Sequence, residues 1–150
     1  MAVTAQQIKD LREKTGGGIA DVKKALEESG GDMARAFELL EKKLGSTAIK
    51  KATRVTSAGL VDAYIHSNGK VGALVEIFCE TDFVARNPQF KELTHDIAMH
   101  IAAMEPADVG VLLGQPFIKD PKKSVGEYLN EAIGKFGENM KIGGFTRFEI

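Results

Sequence analysis

The chain has 150 residues, room for one mid-sized domain or two small ones. With 20 Lys and Arg against 21 Asp and Glu, the formal net charge of −1 argues against a polycationic nucleic-acid wrapper. The 43% hydrophobic content with 27% charged residues is that of a globular protein, and the single cysteine, Cys79, excludes an internal disulfide and a multi-cysteine zinc module. Apolar runs are only a few residues long, too short to span a membrane. The N-terminal Met1-Ala2-Val3-Thr4-Ala5-Gln6-Gln7 lacks the basic and apolar regions of a signal peptide, so a cytoplasmic location is expected.

Charge is unevenly placed: residues 1–54 hold 11 basic and 8 acidic side chains, whereas residues 55–150 hold 9 and 13. Together with a composition shift near residue 45, this predicts three parts: a helical module over 1–44, a basic linker over 45–57 and a mixed core over 58–150.

Thr4 followed by Gln7 is a capping-box start. Ile8 and Leu11 begin an apolar stripe that Thr15-Gly16-Gly17-Gly18 breaks. Ile19, Val22, Ala25 and Leu26 recur at helical spacing. Ser29-Gly30-Gly31-Asp32 ends that run, and Asp32 is a natural N-cap for a third stripe of Met33, Ala36, Phe37, Leu40 and Leu44. Three short helices in about 40 residues make a bundle near the lower size limit for independent folding. The glycine triplet is no phosphate loop, because no Lys-Ser/Thr follows it and a helix, not a strand, precedes it; it reads as a tight turn needing positive φ. A short bundle with this glycine loop resembles the ubiquitin-associated domain, whose first loop and neighbouring helix face dock partners.

No acid occurs between Glu41 and Asp62, while Lys42, Lys43, Lys50, Lys51 and Arg54 fall in that gap. A phosphate-binding arm is one reading. A solvated, partly helical connector is the preferred one, since no aromatic is interleaved to stack on bases.

In the mixed core, Leu60–Ser67 and Lys70–Cys79 flank Asn68-Gly69, a hairpin signal. A two-residue turn would set Val61 opposite Glu76. A three-residue loop sets Val61, Ala63 and Ile65 opposite Val75, Ala73 and Val71, making one face wholly apolar, and is the register expected. Asn87-Pro88 opens a helix running to about Met104. On it His95 and His100 lie too far around the axis to share a metal, and His100, four after Asp96, is expected to form a surface pair with it. Residues 105–123 read as a loop region. Ser124 and Glu127 form a second capping box, for a helix ending at Gly137. Met140–Ile150 is a last strand, interrupted at Gly143-Gly144. The order β-β-α-α-β predicts an α+β fold: a helical bundle, then a small antiparallel sheet with helices on one face.

Local motifs assemble no catalytic triad, metal cluster or carboxylate pair, so no catalytic, cofactor-binding or metal-binding residue is assigned. Thr81-Asp82-Phe83-Val84 stands out between a buried strand and a capped helix. Phe83 either folds back into the core with Asp82 capping a short turn, or is an exposed anchor for a partner pocket with Asp82 as its polar companion.

The segment Ala73-Leu74-Val75-Glu76-Ile77-Phe78-Cys79-Glu80-Thr81-Asp82-Phe83-Val84-Ala85-Arg86-Asn87 resembles the signature of the translation elongation factor Ts family. Ile8–Gly16 through Asp21–Leu26 resembles its N-terminal signature, and Gly137-Glu138-Asn139-Met140 a third, in the family's order. The resemblance implies a guanine-nucleotide exchange factor for elongation factor Tu, with no cofactor and no direct DNA contact. It implies that Thr81, Asp82, Phe83 and Val84 enter the partner's GTPase domain and displace its magnesium, and that the bundle around Leu11, Arg12 and Ile19 grips the same domain. Length suffices for one core unit, as in short family forms in which two copies pair, so a homodimer, and a two-plus-two complex with elongation factor Tu, are expected. Gly143-Gly144 departs from the family's usual pair of arginines. Two other classes stay in view: an RNA-associated adaptor using Lys42–Arg54 as its arm, and a small enzyme using Asp82.

Overall fold

A computed structural model describes residues 2–150. The chain divides into two units, one running through Lys50 and including Asn130–Gly137, the other comprising Lys51–Leu129 and Glu138–Ile150.

The first unit opens with helices α1 (Ala5–Thr15), α2 (Ile19–Glu28) and α3 (Met33–Lys51). The capping box forms as expected: Gln7 N–H donates to Thr4 Oγ1 at 3.2 Å and Thr4 N–H to Gln7 Oε1 at 3.0 Å. Gly16 ends α1 at φ 67°, a left-handed cap that costs glycine least. Asp32 Oδ1 accepts from the amides of Ala34 and Arg35 to start α3. Leu11, Val22, Ala25, Leu26, Ala36, Leu40 and Leu44 close the core. Of the stretch read as a partly helical connector, residues 45–51 continue α3, because Ala48 extends the buried Ala36-Leu40-Leu44 stripe by one more turn. Residues 130–137, read as part of the mixed core, group with these helices.

The second unit is built on a three-stranded antiparallel sheet, ordered β1 (Ala58–Ile65), β2 (Val71–Cys79) and β5 (Lys141–Glu149). Helix α5 (Pro88–Met104) packs on β1 and β2. Ala73, Val75, Ile77 and Cys79 are buried on that side, against Phe90, Leu93, Ile97 and Ile101 of the helix. This α+β arrangement is the one expected. The Asn87 cap, with Pro88 at the first helical position, and the Ser124–Glu127 box that opens α7 (Val125–Phe136) are both present.

Two expectations fail here. The hairpin pairs Val61 with Glu76, Ala63 with Leu74 and Ile65 with Gly72, one step from the preferred register. The turn decides it: Gly69 N–H donates to His66 O at 2.8 Å with Gly69 at φ 70°, and His66 N–H reaches Val71 O at 2.8 Å. The outcome leaves Val61, Ile65 and Leu74 exposed on the face away from α5. The loop region 105–123 also holds structure: α6 (Val109–Gly114) and a hairpin of β3 (Pro116–Phe117) and β4 (Asp120–Ser124).

That hairpin region overturns the surface role of His100. His100 is fully buried; its Nε2 lies 2.9 Å from Gln115 Oε1 and its Nδ1 accepts the Ile118 amide at 3.2 Å. Burial pushes its pKa below 6.5, and the Gln115 hydrogen bond opposes this only in part. Asp96, also buried, takes Lys119 at 3.1 Å and the Tyr128 hydroxyl at 3.3 Å. The histidine that meets an acid at the surface is His95, 3.4 Å from Asp62. Among the described residues no helix is long and apolar enough to cross a membrane, and no cluster of three or more His, Cys, Asp or Glu is placed to hold a metal ion.

Candidate functional site

Strand β2 ends at Cys79, and two residues later the chain turns through the four-residue helix α4 (Asp82–Ala85). Thr81 is its N-cap, extended at φ −130° and ψ 152°, with its hydroxyl accepting from Val84 N–H at 3.4 Å. Ala85 N–H donates to Thr81 O at 3.2 Å, and the Cys79 thiol donates to the same carbonyl at 3.3 Å. Burial and the nearby Glu138 carboxylate raise the Cys79 pKa, so the thiol stays protonated as a donor and is no nucleophile.

This turn sorts the four candidate residues by depth. Phe83 is 84% exposed, and Asp82 and Thr81 also face solvent. Val84 is buried with Ala85, so its side chain anchors the turn to the core and offers no surface to a partner. Phe83 does not fold back into the core; its ring lies in solvent. A whole phenyl ring in water forgoes roughly 1.5–3 kcal/mol of burial, which a pocket on another molecule could recover. Phe83 is presented at the tip of a turn whose ends are fixed by a buried strand and a capped helix.

The fixing comes from a segment far along the chain. Glu138 Oε1 accepts the amides of Glu80 at 3.1 Å and Thr81 at 3.0 Å, and Glu138 Oε2 accepts the Thr81 hydroxyl at 2.7 Å. In return Glu80 Oε1 accepts the Asn139 amide at 2.8 Å. Buried Asn139 then donates through Nδ2 to Arg54 O at 2.8 Å and Ala52 O at 3.4 Å. Glu80, Glu138 and Asn139 were not singled out for a role from the sequence. Gly137-Glu138-Asn139-Met140 was visible as a motif, but no local pattern shows that it reaches back across 57 residues to Thr81.

In the helical unit the three candidates also separate. Leu11 is completely buried in the bundle core and cannot itself touch a partner, a correction to its expected role. Arg12 is exposed beside it on α1, and Ile19 is 58% exposed at the start of α2, directly after the glycine turn. An apolar residue so placed costs burial that the bundle itself does not recover.

Gly143-Gly144 forms the irregular part of β5. A Cβ at Gly143 would lie 2.5 Å from both Glu76 Oε1 and Phe78 Cε2, and Glu76 Oε1 accepts Gly144 N–H at 2.8 Å. The Glu76 carboxylate thus lies against the glycine pair, where a side chain at Gly143 would meet it.

Comparison with known proteins meets this geometry. The family described as Elongation factor TS matches residues 2–110 and 80–150. Elongation factor Ts of Rubrobacter xylanophilus is 42% identical over 195 residues, covering all of both chains. That of Koribacter versatilis is 44% identical, covering all of this chain and 89% of its own. That of Thermotoga petrophila is 40% identical over 193 residues, covering all of this chain and 97% of its own. These matches run longer than the 150 residues here, so the relatives carry residues without a counterpart in this chain. With the whole sequence covered at such identity, the chain belongs to the elongation factor Ts family.

Proposed function

We propose that the chain is a guanine-nucleotide exchange factor acting in translation on elongation factor Tu, binding its GDP complex and promoting GDP release without a covalent step of its own. The observation that carries this reading is Phe83, 84% exposed on a turn whose backbone is tied at both ends. Insertion of that ring into the partner's GTPase domain, with Asp82 alongside, supplies binding energy that exists only in the complex. By reciprocity, whatever binds the nucleotide-free partner more tightly weakens its nucleotide by the same factor. Displacement of the partner's magnesium is the local means. Arg12 and Ile19 give the helical unit a surface for the same domain, with Leu11 supporting them from the core.

The reading includes a homodimer. The sheet face away from α5 exposes Val61 by 63%, Ile65 by 67%, Leu74 by 46% and Phe148 by 75%, side chains that a second copy would cover. Sedimentation on the order of tens of micromolar is expected to give the mass of two chains. Leu74→Lys is expected to return one; a wild-type mass of one chain contradicts the dimer.

The test of the main reading is release of labelled GDP from elongation factor Tu with and without the protein. Acceleration by catalytic amounts is expected. No acceleration, or tight GDP binding by the chain alone, contradicts it, and strongly salt-dependent RNA binding would favour the adaptor reading instead.

A further inference from the structure

We propose that Glu138 is a positioning residue for exchange: its carboxylate fixes the backbone of the Phe83 turn, so that the ring is held ready for the partner before the two meet. This rests on the proposed role of Phe83 and deepens it.

The geometry is that of a clasp with two halves. Glu138 takes three hydrogen bonds from one dipeptide, the amides of Glu80 and Thr81 and the Thr81 hydroxyl. Because that hydroxyl gives its only proton to Glu138, a lone pair is left to face Val84 N–H, the cap of α4. Glu138 therefore sets not only where the turn starts but which way its cap points. The other half runs back, from Asn139 N–H to the Glu80 carboxylate. Asn139 carries the tie on to the carbonyls of residues 52 and 54. Two stretches distant in sequence, 138–139 and 52–54, are tied to the turn, and each polar group of Thr81 has a partner.

Such a device makes sense for an exposed anchor. A four-residue helix has little stability of its own, since helix nucleation is unfavourable. Left to itself it would fray, and an exposed ring would be presented in many orientations. Ordering those residues only on binding would draw on the energy of the contact. Carboxylate hydrogen bonds to backbone amides are strong and directional, and they act here on the segment that must not move. Thr81 and Phe83 are two residues apart, so freedom gained at the cap passes directly to the ring.

The test compares Glu138→Ala, Glu138→Gln and Phe83→Ala in GDP release from elongation factor Tu, with saturation curves for each and amide hydrogen exchange on the free protein. Glu138→Ala is expected to lower the maximal rate about ten- to hundredfold, as small displacements at a working centre do. Its half-saturating concentration is expected to stay within about twofold, because the helical unit still holds the partner. Glu138→Gln keeps an oxygen for the two amides but sets an NH2 group against the Thr81 hydroxyl, and is expected to recover part of the rate lost in Glu138→Ala. The amides of Glu80, Thr81 and Val84 should lose protection in Glu138→Ala while those of β2 keep theirs. With the exchange factor as the titrated species at fixed elongation factor Tu, loss of fold alone would instead deplete active protein, raising the half-saturating concentration with the maximal rate intact, and that pattern overturns the proposal. If Glu138→Ala does not fold, Thr81→Val removes the hydroxyl half of the clasp and is read in the same way. Phe83→Ala separates the two claims. If it is defective and Glu138→Ala is not, Phe83 stands and the positioning role of Glu138 falls. If Phe83→Ala releases GDP normally, the role of the turn falls, and this inference with it.

Discussion

Phe83 and Phe90 lie seven residues apart on successive helices, and they do opposite things. Phe90, in the first turn of α5, is fully buried against the sheet; Phe83, on α4, is 84% exposed. Both follow a helix cap, Thr81 in one case and Asn87 in the other. The difference is what lies below the helix. Helix α5 is long enough to lay a stripe of Phe90, Leu93, Ile97 and Ile101 on β1 and β2, whereas α4 has one turn and sends Val84 and Ala85 inward in its place. A residue type that dominates cores is left in solvent when its turn is too short to reach two faces.

Substitutions can break this contrast. Phe90→Ala is expected to cost about 3–5 kcal/mol of stability by leaving a cavity under α5, read as a shift of the urea midpoint. An effect below about 1 kcal/mol would show that α5 is not the core helix it is taken to be.

A smaller effect is expected from acid. His100 is buried and neutral, bonded to Gln115 and the Ile118 amide. Its folded pKa is lowered from 6.5, so below that pH the unfolded chain takes up a proton that the folded one resists. Stability held above pH 6.5 is therefore lost as pH falls toward the lowered folded value. The Phe117 ring stacks on His100 with centroids 6.0 Å apart, and the Asp96 carboxylate on the same helix is paired with Lys119 and the Tyr128 hydroxyl. Unfolding measured from about pH 7 to pH 5 should show this decline, and a flatter profile in His100→Gln. Equal slopes would place the titration elsewhere.

Thr81→Ala removes the N-cap of α4 and one hydrogen bond to Glu138, and is expected to cost about 1 kcal/mol, visible in the melting curve. A loss as large as that of Phe90→Ala would mean that the turn supports the core and not the reverse.

How far the sequence could be read follows the range of the forces involved. Caps and stripes are local, so Thr4–Gln7, Asn87-Pro88, Ser124–Glu127 and the apolar faces of α1, α2 and α5 were legible. The end of α3 was misplaced because Gly45-Ser46-Thr47 has linker composition. In the helix the hydroxyls of Ser46 and Thr47 bond back to Lys43 O, and Ala48 keeps the stripe going. The hairpin register failed because it was chosen to gather Val61, Ala63 and Ile65 with Val71, Ala73 and Val75 on one apolar face, while Val61 and Ile65 are exposed and Ala73 and Val75 are buried on the other face. His100 was misread because only the β3–β4 region, too short to announce itself, shows that α5 is covered on a second side. Their position between strand and cap marked Phe83 and Asp82 but left open whether the ring is buried or exposed. The clasp of Glu80, Glu138 and Asn139 was not legible, since its hydrogen bonds join residues 57 to 59 apart.

The smallest expected change in stability belongs to the residue expected to matter most for function. The decisive measurement is the maximal rate of GDP release from elongation factor Tu by Phe83→Ala, made beside a denaturation curve of the same variant. Folding should change by less than about 0.5 kcal/mol, as for an exposed side chain. The rate should fall about ten- to hundredfold, the loss expected from roughly 1.5–3 kcal/mol of burial made only in the complex. A variant that releases GDP as fast as the wild type, or one that loses activity only in proportion to a large loss of stability, would contradict the account.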